Sequence, residues 1–264
     1  MSGPSGGALP TTDDVLAAAR RLHGHVLRTP VLRNDALDEL AGAQLFFKCE
    51  NLQLTGSFKI RGAANRLLQI PPDQRAGGGV AFSSGNHAQG VARAARKFGM
   101  PALIVMPSDA PAIKVDGVRR DGAEIRLYDR VTESREEIAG AEAELRGAVL
   151  VPSFDDPSIV AGQGSAGVEF AQQMRDANTP LDHIICCAGG GGLITGLALG
   201  YRAFDANTRI WTAEPEGHDD WRRSLAAGEV QANAPGTRSI CDAILTPAPG
   251  EITWALGKAL LAGG

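Results

Sequence analysis

Between Gly79 and Leu145 the chain repeats one pattern three times: a short apolar run, a turn, then a stretch with helical periodicity. Gly79–Phe82, Ala102–Met106 and Glu124–Tyr128 are the predicted strands, and Asn86–Phe98, Ala112–Arg120 and Thr132–Leu145 the predicted helices. Strands separated by helices run parallel, with right-handed crossovers, so the pattern excludes hairpin-built sheets and specifies an open α/β layer. A second alternation follows, with helix Ile159–Met174, strand His183–Cys187, helix Gly196–Ala203, strand Arg209–Ala213, and helices Trp221–Ala227 and Thr253–Leu261. Ahead of both lie a helix over Thr11–Gly24, a short strand over Leu45–Cys49 and a helix over Phe58–Ile70. Thr11 and Asp14 form a capping box on the first, whose apolar face is Val15, Leu16, Ala19 and Leu22. Pro71-Pro72 stops the last.

A chain of 264 residues exceeds one typical core of ~100–150 residues. The block 79–152 is expected as a smaller domain, inserted in a larger one made of 1–78 and 153–264. The fold class is α/β: two open parallel-sheet lobes with a cleft between them, where ligands sit at the carboxyl ends of the strands. The net charge is -4 and no basic run exceeds two residues, which argues against nucleic-acid and membrane partners. No window reaches ~18 apolar residues. Cys49, Cys186, Cys187 and Cys241 lack metal-ligand spacing and are expected reduced and buried, as in the cytoplasm. Met1–Pro10 has no basic stretch followed by an apolar one, so no secretion signal is expected.

Four places concentrate chemistry. Lys59 opens a helix in Thr55-Gly56-Ser57-Phe58-Lys59-Ile60-Arg61-Gly62. The positive field at a helix N-terminus favours a neutral amine, the form that attacks carbonyls. From spacing alone, a surface helix lysine is the plainer reading. Gly189-Gly190-Gly191-Gly192, followed by Leu193, joins an apolar strand to a helix, where successive N–H groups suit a phosphate. A tight turn is the other reading, since the run lacks a P-loop lysine and the dinucleotide spacing. Ser83-Ser84-Gly85-Asn86-His87 also joins strand to helix and offers N–H groups, hydroxyls, an amide and an imidazole to a carboxylate or a ring hydroxyl. Glu214, Glu216, Asp219 and Asp220 supply oxygens that suit magnesium or calcium, although composition alone favours a solvated acidic loop.

Together these segments resemble the pyridoxal-phosphate (PLP) enzymes of fold type II, the tryptophan-synthase-β-like fold, and within it the serine/threonine dehydratase and serine racemase family. Glu50 to Gly62 resembles the cofactor-lysine motif, Ser83 to Gln89 the loop that grips the substrate carboxylate, Gly189 to Leu193 the phosphate loop, and Pro152 to Asp156 the segment bordering the cofactor ring. The resemblance implies that Lys59 is the Schiff-base lysine and takes the α-proton, that Asn86 reaches the ring hydroxyl, and that Phe58 and Phe154 lie near the cofactor. It implies a divalent cation, Mg or Ca, held by Glu214, Asp220 and the carbonyl of His218. A homodimer is expected, and the family's usual C-terminal segment, which carries the group facing the pyridine nitrogen, is one this sequence, ending at Gly264, is expected to lack.

The implied activity is conversion of L-threonine or L-serine to a 2-oxo acid and ammonia. Ser84 faces Lys59 across the substrate in serine racemase-like members, so a serine or hydroxyaspartate racemase, or a bifunctional enzyme, is the alternative. A PLP-binding homologue without catalysis, and a generic nucleotide-binding α/β protein, are the remaining readings.

Overall fold

The structure, a computed structural model, describes residues 8–264. The first seven residues of the N-terminal segment, read above as free of a secretion signal, lie outside the described residues.

The first part of the chain forms α1 (Thr12–Leu22), β1 (Val31–Leu32), α2 (Asp35–Ala41), β2 (Phe47–Lys48) and α3 (Lys59–Leu68). Thr11 and Asp14 make the reciprocal capping box expected of α1. Its buried face is Val15, Ala18 and Leu22; Leu16 and Ala19 sit at the margin. β1 and β2 pair antiparallel. The expected strand over Leu45–Cys49 thus shrinks to two residues.

Next come β3 (Gly79–Phe82), α4 (Asn86–Phe98), β4 (Ala102–Pro107), α5 (Ala112–Arg120), β5 (Glu124–Tyr128), α6 (Arg135–Arg146) and β6 (Val149–Leu150). The four strands form one parallel sheet in the order β5-β4-β3-β6. Alternate residues of β3 and β4 serve two cores. Ala81, Ile104 and Met106 pack with Ile60, Leu67 and Val91 of α3 and α4. Val80, Leu103 and Val105 pack with Tyr128 and Ala139 of β5 and α6.

The last part forms α7 (Pro157–Asp176), β7 (His183–Cys187), α8 (Gly192–Arg202), β8 (Arg209–Ala213), α9 (Asp220–Ala227) and α10 (Glu251–Leu260). β7 and β8 are parallel and in register from His183↔Arg209 to Cys187↔Ala213. Gly263 adds a parallel bridge at Trp211. Helix α7 is the spine of the molecule. It packs on α1, α3 and α8 through glycines that leave no room for side chains: a Cβ on Gly167 would meet the Leu197 carbonyl oxygen at 2.3 Å. Among the described residues no helix is long and apolar enough to cross a membrane.

Candidate active site

The start of α3, the strand-to-helix turns after β3 and β7, and the segment after β6 converge. Lys59 is the first residue of α3, and its Nζ donates to the carbonyl of Ser153 at 2.8 Å. Phe154, the next residue, lies against the glycine turn: a Cβ on Gly190 would come within 2.4 Å of its ring, and one on Gly192 within 3.1 Å of its Cβ. The carboxylate of Asp155 then accepts from the N–H groups of Glu251, Ile252 and Thr253, fixing the start of α10. Three consecutive residues therefore tie the amine, the glycine turn and α10 together. Burial lowers the Lys59 pKa to about 8, and the nearby Cys187 opposes part of that shift. A substantial neutral fraction is thus present just above neutrality. Phe58, which caps α3, places its ring centroid 5.3 Å from Nζ.

The glycine turn is polarised. The carbonyl of Gly189 accepts from Trp221 Nε1 (2.6 Å), that of Gly190 from Thr253 Oγ1 (2.7 Å), and that of Gly191 from Thr195 N (3.0 Å) and Oγ1 (2.9 Å). Among the described residues, the N–H groups from Gly189 through Gly192, Leu193 and Ile194 find no acceptor in the protein. Gly191 has φ +94°, a left-handed conformation that glycine adopts without strain. Unpaired N–H groups at the mouth of a long helix suit a dianion.

The turn after β3 repeats the arrangement. The N–H of Ser83 donates to Val105 and that of Gly85 to the Ser83 hydroxyl, whereas those of Ser84, Asn86, His87 and Ala88 find no acceptor among the described residues. Asn86 is exposed at the first position of α4, and Ser84 is half-buried before it. His87 differs from its neighbours. Its ring is buried, and Nε2 lies 2.8 Å from the Val151 carbonyl, which accepts only if Nε2 carries the proton. Burial, aided by the Lys59 charge, pushes its pKa down to about 3. The imidazole is neutral and turned into the core, so His87 has its backbone N–H to give to a ligand.

One expectation needs correction, the burial of the cysteines. Of the four cysteines, which are free, only Cys186 is buried; Cys49 is half-buried, and Cys187 and Cys241 are exposed. Cys187 ends β7 beside the glycine turn. The adjoining Cys186 thiol lowers its thiol pKa to about 7, and the charge of Lys59 adds to the lowering. The alternation of a strand from a single buried face places one cysteine of an adjacent pair outward.

The residues expected around a cation lie between β8 and the start of α9. Among the described residues no group of three or more His, Cys, Asp or Glu side chains is placed to hold a metal ion. Glu214 instead accepts from the N–H groups of Trp221 and Arg222, capping α9. Asp220 accepts from Asn233, leaving its Oδ2 buried and unpartnered. The His218 ring bonds the Thr237 hydroxyl. Burial raises the pKa of both carboxyls, and the Asp220 charge adds to the rise at Glu214.

Trp221 and Thr253 are site residues that local pattern did not single out. They reach the turn from other elements, and no motif spans that distance.

Residues 22–263 match the family described as pyridoxal-phosphate dependent enzyme. The chain belongs to that family. It is 47% identical to an L-threo-3-hydroxyaspartate ammonia-lyase of Pseudomonas sp over 249 residues, 94% of this chain and 76% of the relative. The structure of maize serine racemase superposes with a TM-score of 0.91 at 39% identity, covering 97% of this chain and 76% of that one. The structure of a T.th. threonine deaminase gives 0.89 at 41% identity, covering 96% and 81%. The architecture is the tryptophan-synthase-β-like fold of the serine racemase and threonine dehydratase family. The residues present fit PLP: the unpaired N–H groups of the glycine turn match its phosphate, and the Lys59 amine matches its aldehyde.

Proposed function

We propose that this chain dehydrates and deaminates a small 3-hydroxy amino acid, giving a 2-oxo acid and ammonia. The observation that carries the reading is one amine of lowered pKa near two turns whose N–H groups lack acceptors. When bound, PLP supplies the electron sink that acidifies the substrate α-carbon. The N–H groups of Gly189 to Ile194 would hold its phosphate end, and Lys59 Nζ would hold its aldehyde end until the substrate amine displaces it and frees the lysine. The N–H groups of Ser84, Asn86, His87 and Ala88 orient the substrate carboxylate. Held this way, the Cα–H bond faces Lys59, whose neutral amine accepts the proton. The 3-hydroxyl leaves as water, and the proton taken from the α-carbon balances the one it carries off. The released enamine takes up water and gives the 2-oxo acid and ammonia.

The motifs alone point to L-serine or L-threonine. The likeness to an L-threo-3-hydroxyaspartate ammonia-lyase supports 3-hydroxyaspartate as the first substrate to test. Purified protein is incubated with each amino acid, and oxaloacetate, pyruvate and 2-oxobutyrate are quantified. Lys59→Ala is expected to lose both the visible absorbance of lysine-bound cofactor and all turnover. Retention of that absorbance with normal turnover overturns the assignment.

Racemization is the second reading, supported by the half-buried Ser84 hydroxyl in the carboxylate turn and by the likeness to maize serine racemase. Wild-type protein that fails to interconvert serine enantiomers removes it, and Ser84→Ala protein that interconverts them at full rate removes the role of Ser84. The reading includes a homodimer, which analytical ultracentrifugation checks.

A further inference from the structure

Each peptide plane points its C=O and the next residue's N–H in opposite directions. Fixing the oxygens of Gly189, Gly190 and Gly191 therefore aims the N–H groups of Gly190, Gly191 and Gly192 to the other side. Two of the three anchors come from distant elements. Trp221 on α9 donates Nε1 to Gly189, and Thr253 on α10 donates its hydroxyl to Gly190. Both side chains are 0% exposed. Both also close the space behind the turn: a Cβ on Gly191 would lie 2.3 Å from the Trp221 ring and 2.8 Å from Thr253 Cβ. The anchors are themselves held. Glu214 fixes the Trp221 backbone N–H at 2.9 Å, and Asp155 receives the Thr253 N–H at 3.2 Å.

We propose that Trp221 and Thr253 are positioning residues for the cofactor phosphate: by holding the Gly189 and Gly190 carbonyls inward, they keep the N–H row of the turn facing the phosphate. Neither side chain touches the ligand. The inference rests on the cofactor reading above and adds a prediction specific to the phosphate. Pyridoxal has the same aldehyde but no phosphate, so it gains nothing from the turn.

The test titrates wild-type protein and the variants Thr253→Val, Thr253→Ser and Trp221→Phe with PLP and, separately, with pyridoxal, following the absorbance of the lysine-bound ligand. One neutral hydrogen bond removed at each anchor predicts PLP binding roughly 3- to 10-fold weaker in Thr253→Val and Trp221→Phe. Pyridoxal affinity is expected to stay within roughly 2-fold of wild type, and Thr253→Ser to restore PLP binding because it keeps the hydroxyl. Equal losses for PLP and pyridoxal, or unchanged PLP affinity in both variants, overturn the proposal while leaving the cofactor assignment intact. Failure of wild-type protein to bind PLP overturns both. Thr253→Ser also separates the hydroxyl from general damage to α10, because its fold is preserved whichever way the valine variant behaves.

Discussion

Arg61 is the residue whose replacement tests the framework beneath the site most directly. It lies two positions beyond Lys59 on α3, with a side chain 0% exposed. Its guanidinium forks onto two carboxylates. Nε and Nη2 reach Glu50 at 2.7 and 2.8 Å, and Nη1 and Nη2 reach Glu169 at 2.8 and 2.9 Å. The remaining N–H, on Nη1, goes to Ser165 Oγ at 3.1 Å, and the Leu27 carbonyl lies 3.2 Å from Nη2. Lys48 Nζ adds bonds to Glu169 (2.8 Å), the Thr29 carbonyl and Gln173 (both 3.0 Å). Arg61→Met keeps the aliphatic volume but leaves two largely buried carboxylates, Glu169 with Lys48 and Glu50 with the Thr29 hydroxyl at 2.6 Å. Removing one partner of a buried ion pair costs about 3–5 kcal/mol, a large share of the about 5–15 kcal/mol that holds a protein folded. Lys48→Met leaves both Arg61 forks intact and is expected to cost about 1.5–3 kcal/mol, the worth of hydrogen bonds to a charged group. The pH dependence gives a second criterion. In the wild type, burial would raise the Glu169 pKa, but its bonds to Arg61 more than offset this and hold it below 4.5. Its contribution is then present above that pH and lost as pH falls. In Arg61→Met, burial is no longer offset, the folded-state pKa rises, and the deficit is largest at neutral pH and shrinks toward pH ~4.5. Urea unfolding followed by tryptophan fluorescence at a series of pH values measures both effects. An Arg61→Met deficit no larger than that of Lys48→Met, or one that grows on acidification, refutes the reasoning.

Three further outcomes follow from the site geometry. Gly190→Ala sets a Cβ 2.4 Å from the Phe154 ring, so PLP affinity should fall by at least about tenfold, measured by absorbance titration; unchanged affinity would mean the turn is not the phosphate cradle. His87, with a pKa near 3 against an ordinary 6.5, binds its proton more readily when unfolded, so stability should fall as pH drops from 6.5 toward 3. His87→Gln should flatten that part of the pH–stability curve; an unchanged slope places the titration elsewhere. Lys59, with its pKa near 8, should capture PLP at a rate that rises with pH and levels off above about 8, read by stopped-flow absorbance. A profile still climbing steeply near pH ~10 would show an ordinary lysine.

The strands and helices of the central block are legible because their signals are local. β3, α4, α5 and β5 match the pattern-derived bounds residue for residue, as do β7 and β8. Each is flanked by turn residues and carries its own periodicity. β1 and β6 are not legible, since a two-residue strand exists only through its partner: β6 is defined by pairing with Gly79 and Val80. α2 did leave a local trace that the periodic pattern obscured. Asn34 caps it by accepting from the Leu37 N–H, and Gly42 ends it at φ 64°. α6 starts three residues later than expected because Ser134, whose Oγ accepts from the Glu137 N–H, is its cap. The ion network around Arg61 was out of reach for a different reason, since Arg61 and Glu169 are 108 residues apart.

The four glycines show most clearly where local reading stops. Two explanations compete for such a run: a phosphate cradle, or a turn that must be tight. They are not alternatives in this fold. Gly190 and Gly191 lack side chains because Phe154, Trp221 and Thr253 occupy the space behind them, which is the tight-turn reading. Trp221 and Thr253, two of those neighbours, also hold the carbonyls of Gly189 and Gly190 and leave the N–H row facing outward, which is the cradle reading. A tight turn without those donors would leave its amides free to face either way, and donors without the glycines could not approach. The motif is thus the visible half of an arrangement whose other half lies on α9 and α10. Replacing the glycines and replacing the anchors should therefore damage one property, affinity for the phosphate end of the ligand.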